Sequence, residues 1–362
     1  MGDVTAERGL EVGVYVDAHL GIGEQARALE DAGFDHLWVY DSPLVFGDVY
    51  MAMLEAARAT ERIAIGPGVT QPLARPAVAA AQAMATLAKA APGRTFFGTG
   101  IGNSARWSLG QKPATQDAMF EHLRVVQALL RGEEVVADGR PIRFLNPEGR
   151  WIDVAHDVPA WVSAFGPRGQ ARAAAVADGI LVRWEGAEAL AIVRERVADA
   201  ARAAGRDPSA VRIGLVTALY PIGSEAELEE EDARLALGPL VVSRMRYLTA
   251  NHASAAEVPE PFRPGFDAYL EHRAGLPEET RHVDNYRGYL THVPPDLEPF
   301  VRPETMRTIA TIGSPERIAA ELRAMRDAGA DAVTLQVAGP PASWCRRMGD
   351  EVLPAVAPAL RG

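Results

Sequence analysis

The stretch IAIGPGVTQPLARPAVAAAQAMATLAKAAPGRTFFGTGIGN, residues 63–103, decides how the rest of the chain is read. Two short apolar runs, Ile63–Ile65 and Thr95–Gly98, each stop in glycine-rich backbone, with an alanine-rich helix over Ala77–Ala90 between them. Strand, crossover helix and second strand make a βαβ unit, so the two runs lie parallel. Gly68-Val69-Thr70 and Gly98-Thr99-Gly100-Ile101-Gly102-Asn103 then fall at strand carboxyl ends, where parallel α/β proteins bind their ligands. These glycines read either as the floor of a cofactor site or as tight turns without a ligand. A Gly-x-Gly-x-Gly run alone does not choose between them.

The same alternation extends in both directions. Strand-like runs occur at Leu10–Val16, His36–Tyr40, Ala160–Ala164, Gly179–Arg183, Val211–Tyr220 and Ala332–Val337, with helical spacing between them. Ser314-Pro315-Glu316 starts one such helix with a capping residue and proline at the first helical position. Eight strands alternating with helices predict a closed (β/α)8 TIM barrel, because such crossovers are short and right-handed. We expect one domain over residues 1–362, with a hairpin insertion at about 132–157 and a longer insertion at about 225–308. The longer one carries Tyr286-Arg287-Gly288-Tyr289-Leu290-Thr291-His292-Val293-Pro294-Pro295 and reads as a substrate lid or as an oligomer contact.

Composition narrows the function. The 362 residues carry a net charge of −11 and no long basic run, which argues against nucleic acid as a partner. The single cysteine, Cys345, excludes an internal disulfide framework and a cysteine metal cluster, and no metal-binding spacing of histidines occurs. The amino terminus lacks a basic region followed by an apolar stretch, and no run approaches the roughly 18 apolar residues of a membrane helix. A cytoplasmic protein acting on a small molecule is expected. Gly-x-Ser-x-Gly is absent, which argues against an α/β-hydrolase.

At four segments the chain resembles the luciferase-like flavin and deazaflavin oxidoreductases, and among them methylenetetrahydromethanopterin reductase-like enzymes using the deazaflavin coenzyme F420. They are GPGVTQPLARPAVAAAQAMATL (66–87), PGRTFFGTGIGN (92–103), WVSAFGPRGQARAAAVADGILV (161–182) and TIGSPERIAAELRAMRDAGADAV (311–333). The resemblance implies an enzyme with F420, or alternatively FMN, bound at the barrel mouth, and a homodimer. It implies a non-prolyl cis peptide in the turn Gly68, Val69, Thr70 behind the cofactor ring. Thr99, Gly100, Gly102 and Asn103 would line the cofactor, and Ser163, Ala164, Phe165, Gly166, Pro167 and Arg168 would form its phosphate turn. That turn also stands on its own physics, since amides at a helix start beside an arginine suit a phosphate. Arg168 could equally be a solvated charge.

The family often has Asp-His after its second strand, where this chain has Asp41-Ser42. The reductases' acidic residue on strand one falls near Tyr15, with Asp17 two residues further on. Asp41 sits at a strand's carboxyl end and could touch the ring edge, act as an acid, or cap the following turn. Tyr15, Asp17, His19 and His292 are candidate proton carriers. Trp184 and Tyr289 could wall a substrate pocket, or Trp184 could be packing alone. The expected activity is hydride transfer between reduced F420 and a C=C or C=N group. An FMN monooxygenase using oxygen is the alternative. A non-catalytic flavin-binding barrel and a cofactor-free barrel lyase or hydrolase remain further alternatives.

Overall fold

The computed structural model describes residues 9–148 and 150–360; the first eight residues, on which the leader reading rests, lie outside them. Eight parallel strands form the barrel: β1 (Glu11–Val16), β2 (His36–Val39), β3 (Ala64–Pro67), β4 (Phe97–Thr99), β5 (Ala160–Ser163), β6 (Gly179–Arg183), β7 (Arg212–Thr217) and β8 (Ala332–Leu335). Hydrogen-bonded neighbours run β3-β2-β1-β8-β7-β6-β5-β4. The seam between β3 and β4 is closed by two isolated bridges, Ile65 to Thr95 and Thr70 to Thr99. The expected (β/α)8 barrel is therefore the fold. Its closing seam lies in the stretch from which the fold was read.

The strands close around aromatic side chains. Trp38 sits 4.3 Å from Phe96 and 5.9 Å from Trp161, edge to face with the latter. Glycines on facing strands make the room. A Cβ on Gly66 would fall 2.3 Å from the Phe96 carbonyl oxygen, and one on Gly179 would fall 2.3 Å from the Trp161 ring. Large rings against bare backbone give the interior the density of a packed core rather than a pore.

At the amino end of the barrel, Glu11 accepts from His36 at 3.1 Å and pairs with Arg212 at 2.7 Å. Burial works against its charge, yet His36 and Arg212 outweigh it and pull the carboxyl from 4.5 to about 2. A depressed carboxylate stabilises the fold fully above its unfolded value, and that contribution disappears as pH falls through the folded one. Between pH 4.5 and 2 the wild-type urea midpoint is therefore expected to drop more steeply than that of Glu11→Gln. Parallel curves would remove Glu11 from the stability of the barrel floor.

Two departures from the sequence expectation concern strand edges. The run Val211–Tyr220 breaks at Ala218, so β7 stays in the barrel while Leu219–Pro221 leaves it and pairs in parallel with Thr311–Gly313. The apolar run hid that break, because both pieces are buried and carry the same residue types. The helix after β5 begins at Pro167 rather than near Gly169, which makes Gly166 its N-cap. The first insertion does contain an antiparallel hairpin, Val135–Ala137 with Arg140–Ile142. The second holds helices Glu231–Asn251 and Arg263–Gly275, packed through buried Phe262, Phe266 and Tyr269. No helix among the described residues is long and apolar enough to cross a membrane.

Candidate active site

All eight strands point the same way, so the three glycine-bearing loops after β3, β4 and β5 share the carboxyl rim. The Gly68–Val69 peptide is cis, as the resemblance implied. A Cβ on Gly68 would meet Trp38 Cβ at 2.7 Å and Tyr15 Cε1 at 2.9 Å, so bare backbone lies against both rings. One on Gly100 would stand 3.0 Å from Val69 Cγ2 and 3.5 Å from Ser163 Cβ. Three loops distant in sequence thus meet at Gly100. Gly102 adopts φ 73° at the start of the helix Asn103–Trp107, a conformation that suits glycine, and Asn103 is exposed there.

The loops are tied together by Thr70. Its amide donates to the Gly98 carbonyl at 3.0 Å, and its own carbonyl accepts from the Gly100 amide at 2.9 Å. Thr70 Oγ1 donates to Asp41 Oδ2 at 2.6 Å, and Thr99 Oγ1 donates to the Thr70 carbonyl at 3.3 Å. Asp41 is 6% exposed. Burial lifts its carboxyl above the ordinary range, with the Thr70 hydroxyl and Arg75 pulling the other way. Asp41 and Thr70, called separately from sequence, are one hydrogen-bonded pair at the seam.

Across the rim, the helix Pro167–Ala174 starts at Gly166 with no side-chain cap, and a Cβ on Gly166 would meet nothing within 4 Å. Its first-turn amides are therefore free of any side-chain acceptor and open outward. Phe165, Pro167 and Arg168 are exposed beside it, while Ala164 is buried. An uncapped helix start with open space in front of it fits a phosphate.

On the β1 side, Tyr15, Tyr40 and Phe46 form a stack with ring centroids 5.1 and 5.2 Å apart. The Tyr40 hydroxyl accepts from Gln336 Nε2 at 3.0 Å, and burial raises the Tyr40 and Tyr15 phenols well above their usual values. Next to this stack opens a cavity of about 520 Å³ lined by Asp17, His19, Gln25, Phe46 and Thr291 among others. Asp17 Oδ1 and Gln25 Oε1 are buried in it with no hydrogen-bond partner among the described residues. Burial pushes the Asp17 carboxyl from 3.8 up to about 6, with His19 acting against the rise.

Trp184, His292 and Tyr289 are the remaining candidates. The Trp184 indole donates to Glu321 Oε1 at 2.5 Å, on the helix Pro315–Asp327. His292 is exposed and pairs with its neighbour Thr291 at 3.0 Å. Tyr289 is half-buried in the second insertion, 5.3 Å from Tyr286. Gln25, Phe46 and Thr291 carry no sequence signal of their own. Only their convergence on one cavity singles them out.

Residues 8–332 match the family model of the luciferase-like monooxygenases. The chain belongs to that family. This luciferase-like chain is 29% identical over 240 residues to 5,10-methylenetetrahydromethanopterin reductase of Methanolobus tindarius, covering 65% of this chain and 72% of the reductase. It is 30% identical over 199 residues to the F420-dependent hydroxymycolic acid dehydrogenase of Mycobacterium tuberculosis, covering 51% and 54%. Among solved structures, the coenzyme F420 dependent tetrahydromethanopterin reductase from Methanopyrus kandleri superimposes with a TM-score of 0.69 at 20% identity, over 96% of this chain and 99% of that one. The luciferase-like barrel, its order of elements and its assignment to an enzyme family follow.

Proposed function

We propose that this luciferase-like enzyme is an F420-dependent oxidoreductase that reduces a C=C or C=N group of a small organic molecule. The observation that carries this reading is the open, uncapped helix start at Gly166, standing across one rim from the buried Asp41–Thr70 pair. The two relatives near 30% identity, a reductase and a dehydrogenase, support it. When bound, reduced deazaflavin supplies a hydride. The amides of the Pro167 helix and Arg168 would hold its phosphate, and Gly68, Val69 and Thr70 would form the floor of its site. Thr99, Gly100, Gly102, Asn103, Ser163 and Ala164 would line that site, and Asp41 orients Thr70 within it. Tyr15 and Trp38 back this floor and exclude water.

Asp17 holds the proton that the second atom of the reduced double bond takes up. Its carboxyl, near 6, is protonated often enough at neutral pH to act as an acid. Asp17 lines the cavity and its buried Oδ1 has no hydrogen-bond partner among the described residues, whereas Asp41 is engaged by Thr70. The test is a fluorescence titration of purified protein with F420 and with FMN, followed by oxygen uptake with each reduced form. We expect tighter binding of F420 and no oxygen uptake dependent on it. Preferential FMN binding with oxygen consumption would make the protein a flavin monooxygenase instead.

A further inference from the structure

Two arginines meet on the carboxyl rim without an ion-pair partner. Arg183 ends β6 and is exposed, and Arg244 comes half-buried from the insertion helix Glu231–Asn251. Both lie against one ring: their guanidinium carbons stand 6.0 and 5.3 Å from the centre of Tyr247, which is itself exposed. Arg183 also lies over Phe165, 4.7 Å from its ring centre. Phe165 immediately precedes the open N-cap Gly166, so the pair sits beside the candidate phosphate turn. Neither guanidinium makes a hydrogen bond or an ion pair among the described residues, and Arg244 has no unpaired nitrogen buried from solvent. Burial, and then the Arg183 charge, act against the Arg244 cation, while Tyr247 and Glu185 favour it, the latter from beyond ion-pair distance. In a chain with 48 acidic and 37 basic residues, two like charges left together in this way are an exception.

Stacking on Tyr247 accounts for one cation, whereas a second on the same ring adds repulsion that an anion would relieve. A guanidinium over a ring keeps its N–H fork unused, and that fork matches the oxygens of a carboxylate or a phosphate. The amides beyond Gly166 offer a place for one phosphate, and the two arginines offer donors to a further acidic group on the same rim. We infer that Arg183 and Arg244 together bind a second oxyanion, a carboxylate or a phosphate carried by the cofactor or by the substrate. That an anion binds there stands on the arginines alone; which molecule carries it rests on the oxidoreductase reading.

The test uses the full-length protein without cofactor, with inorganic phosphate and succinate as probes at constant ionic strength. Gly166→Asp serves as the background, to keep a probe off the helix start. Thermal unfolding of that protein is expected to shift upward with at least one probe. Adding Arg183→Gln and Arg244→Gln is expected to weaken that probe about ten- to a hundredfold, the range of charged hydrogen bonds. Arg183→Lys with Arg244→Lys, which keeps the charge and loses the fork, is expected to recover part of the affinity. Without a probe, Arg183→Gln with Arg244→Gln is expected to unfold at the background temperature or higher, since a repulsion is removed. A marked fall in that temperature, no shift with either probe, or equal probe binding with and without the arginines would overturn the inference. F420 and FMN are then titrated against wild type and Arg183→Gln with Arg244→Gln. Weakened F420 with FMN intact assigns the oxyanion to the acidic side chain of the deazaflavin, and no change in either assigns it to the substrate. Weakened FMN, alone or with F420, would merge the arginines with the phosphate turn, leave no second oxyanion and overturn the inference. If neither cofactor binds the wild type but a probe still binds through the arginines, the oxidoreductase reading fails and the anion site stands.

Discussion

Gly166→Asp is expected to weaken phosphorylated cofactor binding about ten- to a hundredfold without loss of fold, measured as the dissociation constant beside the unfolding midpoint. The two readouts separate because the position is benign for folding and hostile to phosphate. Gly166 has φ −108° and ψ 154°, extended backbone open to any residue, and its Cβ would point into free space. Aspartate is among the best N-cap residues and a negative charge suits a helix start, so the free protein is expected to hold or gain stability. The new carboxylate would occupy the same amides that a phosphate needs and repel it. Two unit charges about 4 Å apart near a protein surface interact by about 4 kcal/mol, which exposure here reduces toward the 1.4–2.8 kcal/mol behind the stated range. Unchanged affinity in a folded variant would take this turn out of the site.

Asp17→Asn is expected to lower turnover by about two to three orders of magnitude, the scale of a lost general acid, and to abolish a pH dependence near 6. The same substitution is expected to stabilise the protein at neutral pH. Asp17 is buried and its folded carboxyl stands near 6, above the ordinary 3.8, so the folded state holds the proton more tightly. Stability from such a raised carboxyl is present below about 3.8 and lost as pH rises through 6. The midpoint gain of Asp17→Asn over wild type is therefore expected above pH 6 and absent below pH 4. Loss of activity with a gain in stability would mark a group kept for chemistry. Unchanged turnover with an intact pH profile would leave the proton to another donor, Tyr15 or His19 being the nearest called from sequence.

The barrel was legible because its signals are local. Apolar runs, crossover helices and glycine stops repeat along the chain, and each strand's end announces itself in the residues that follow it. Gly68, Gly100 and Gly166 were findable for the same reason: backbone that must approach rings, other loops or open space tolerates no larger residue at the first two and needs none at the third. The break at Ala218 was not, since buried strand and buried departure from the sheet use the same apolar residues.

By itself, then, the sequence determined the order of strands, the carboxyl-end glycine turns and the family, because those depend on neighbours within a few residues. Only the tertiary structure decided that Asp41 bonds Thr70, that Asp17 and Gln25 face one cavity, and that Arg246 is buried against the rings of Tyr286 and Tyr289. Burial and pairing are properties of what packs against a side chain. For Arg246 that neighbour arrives from about 40 residues further along, and no local pattern records it.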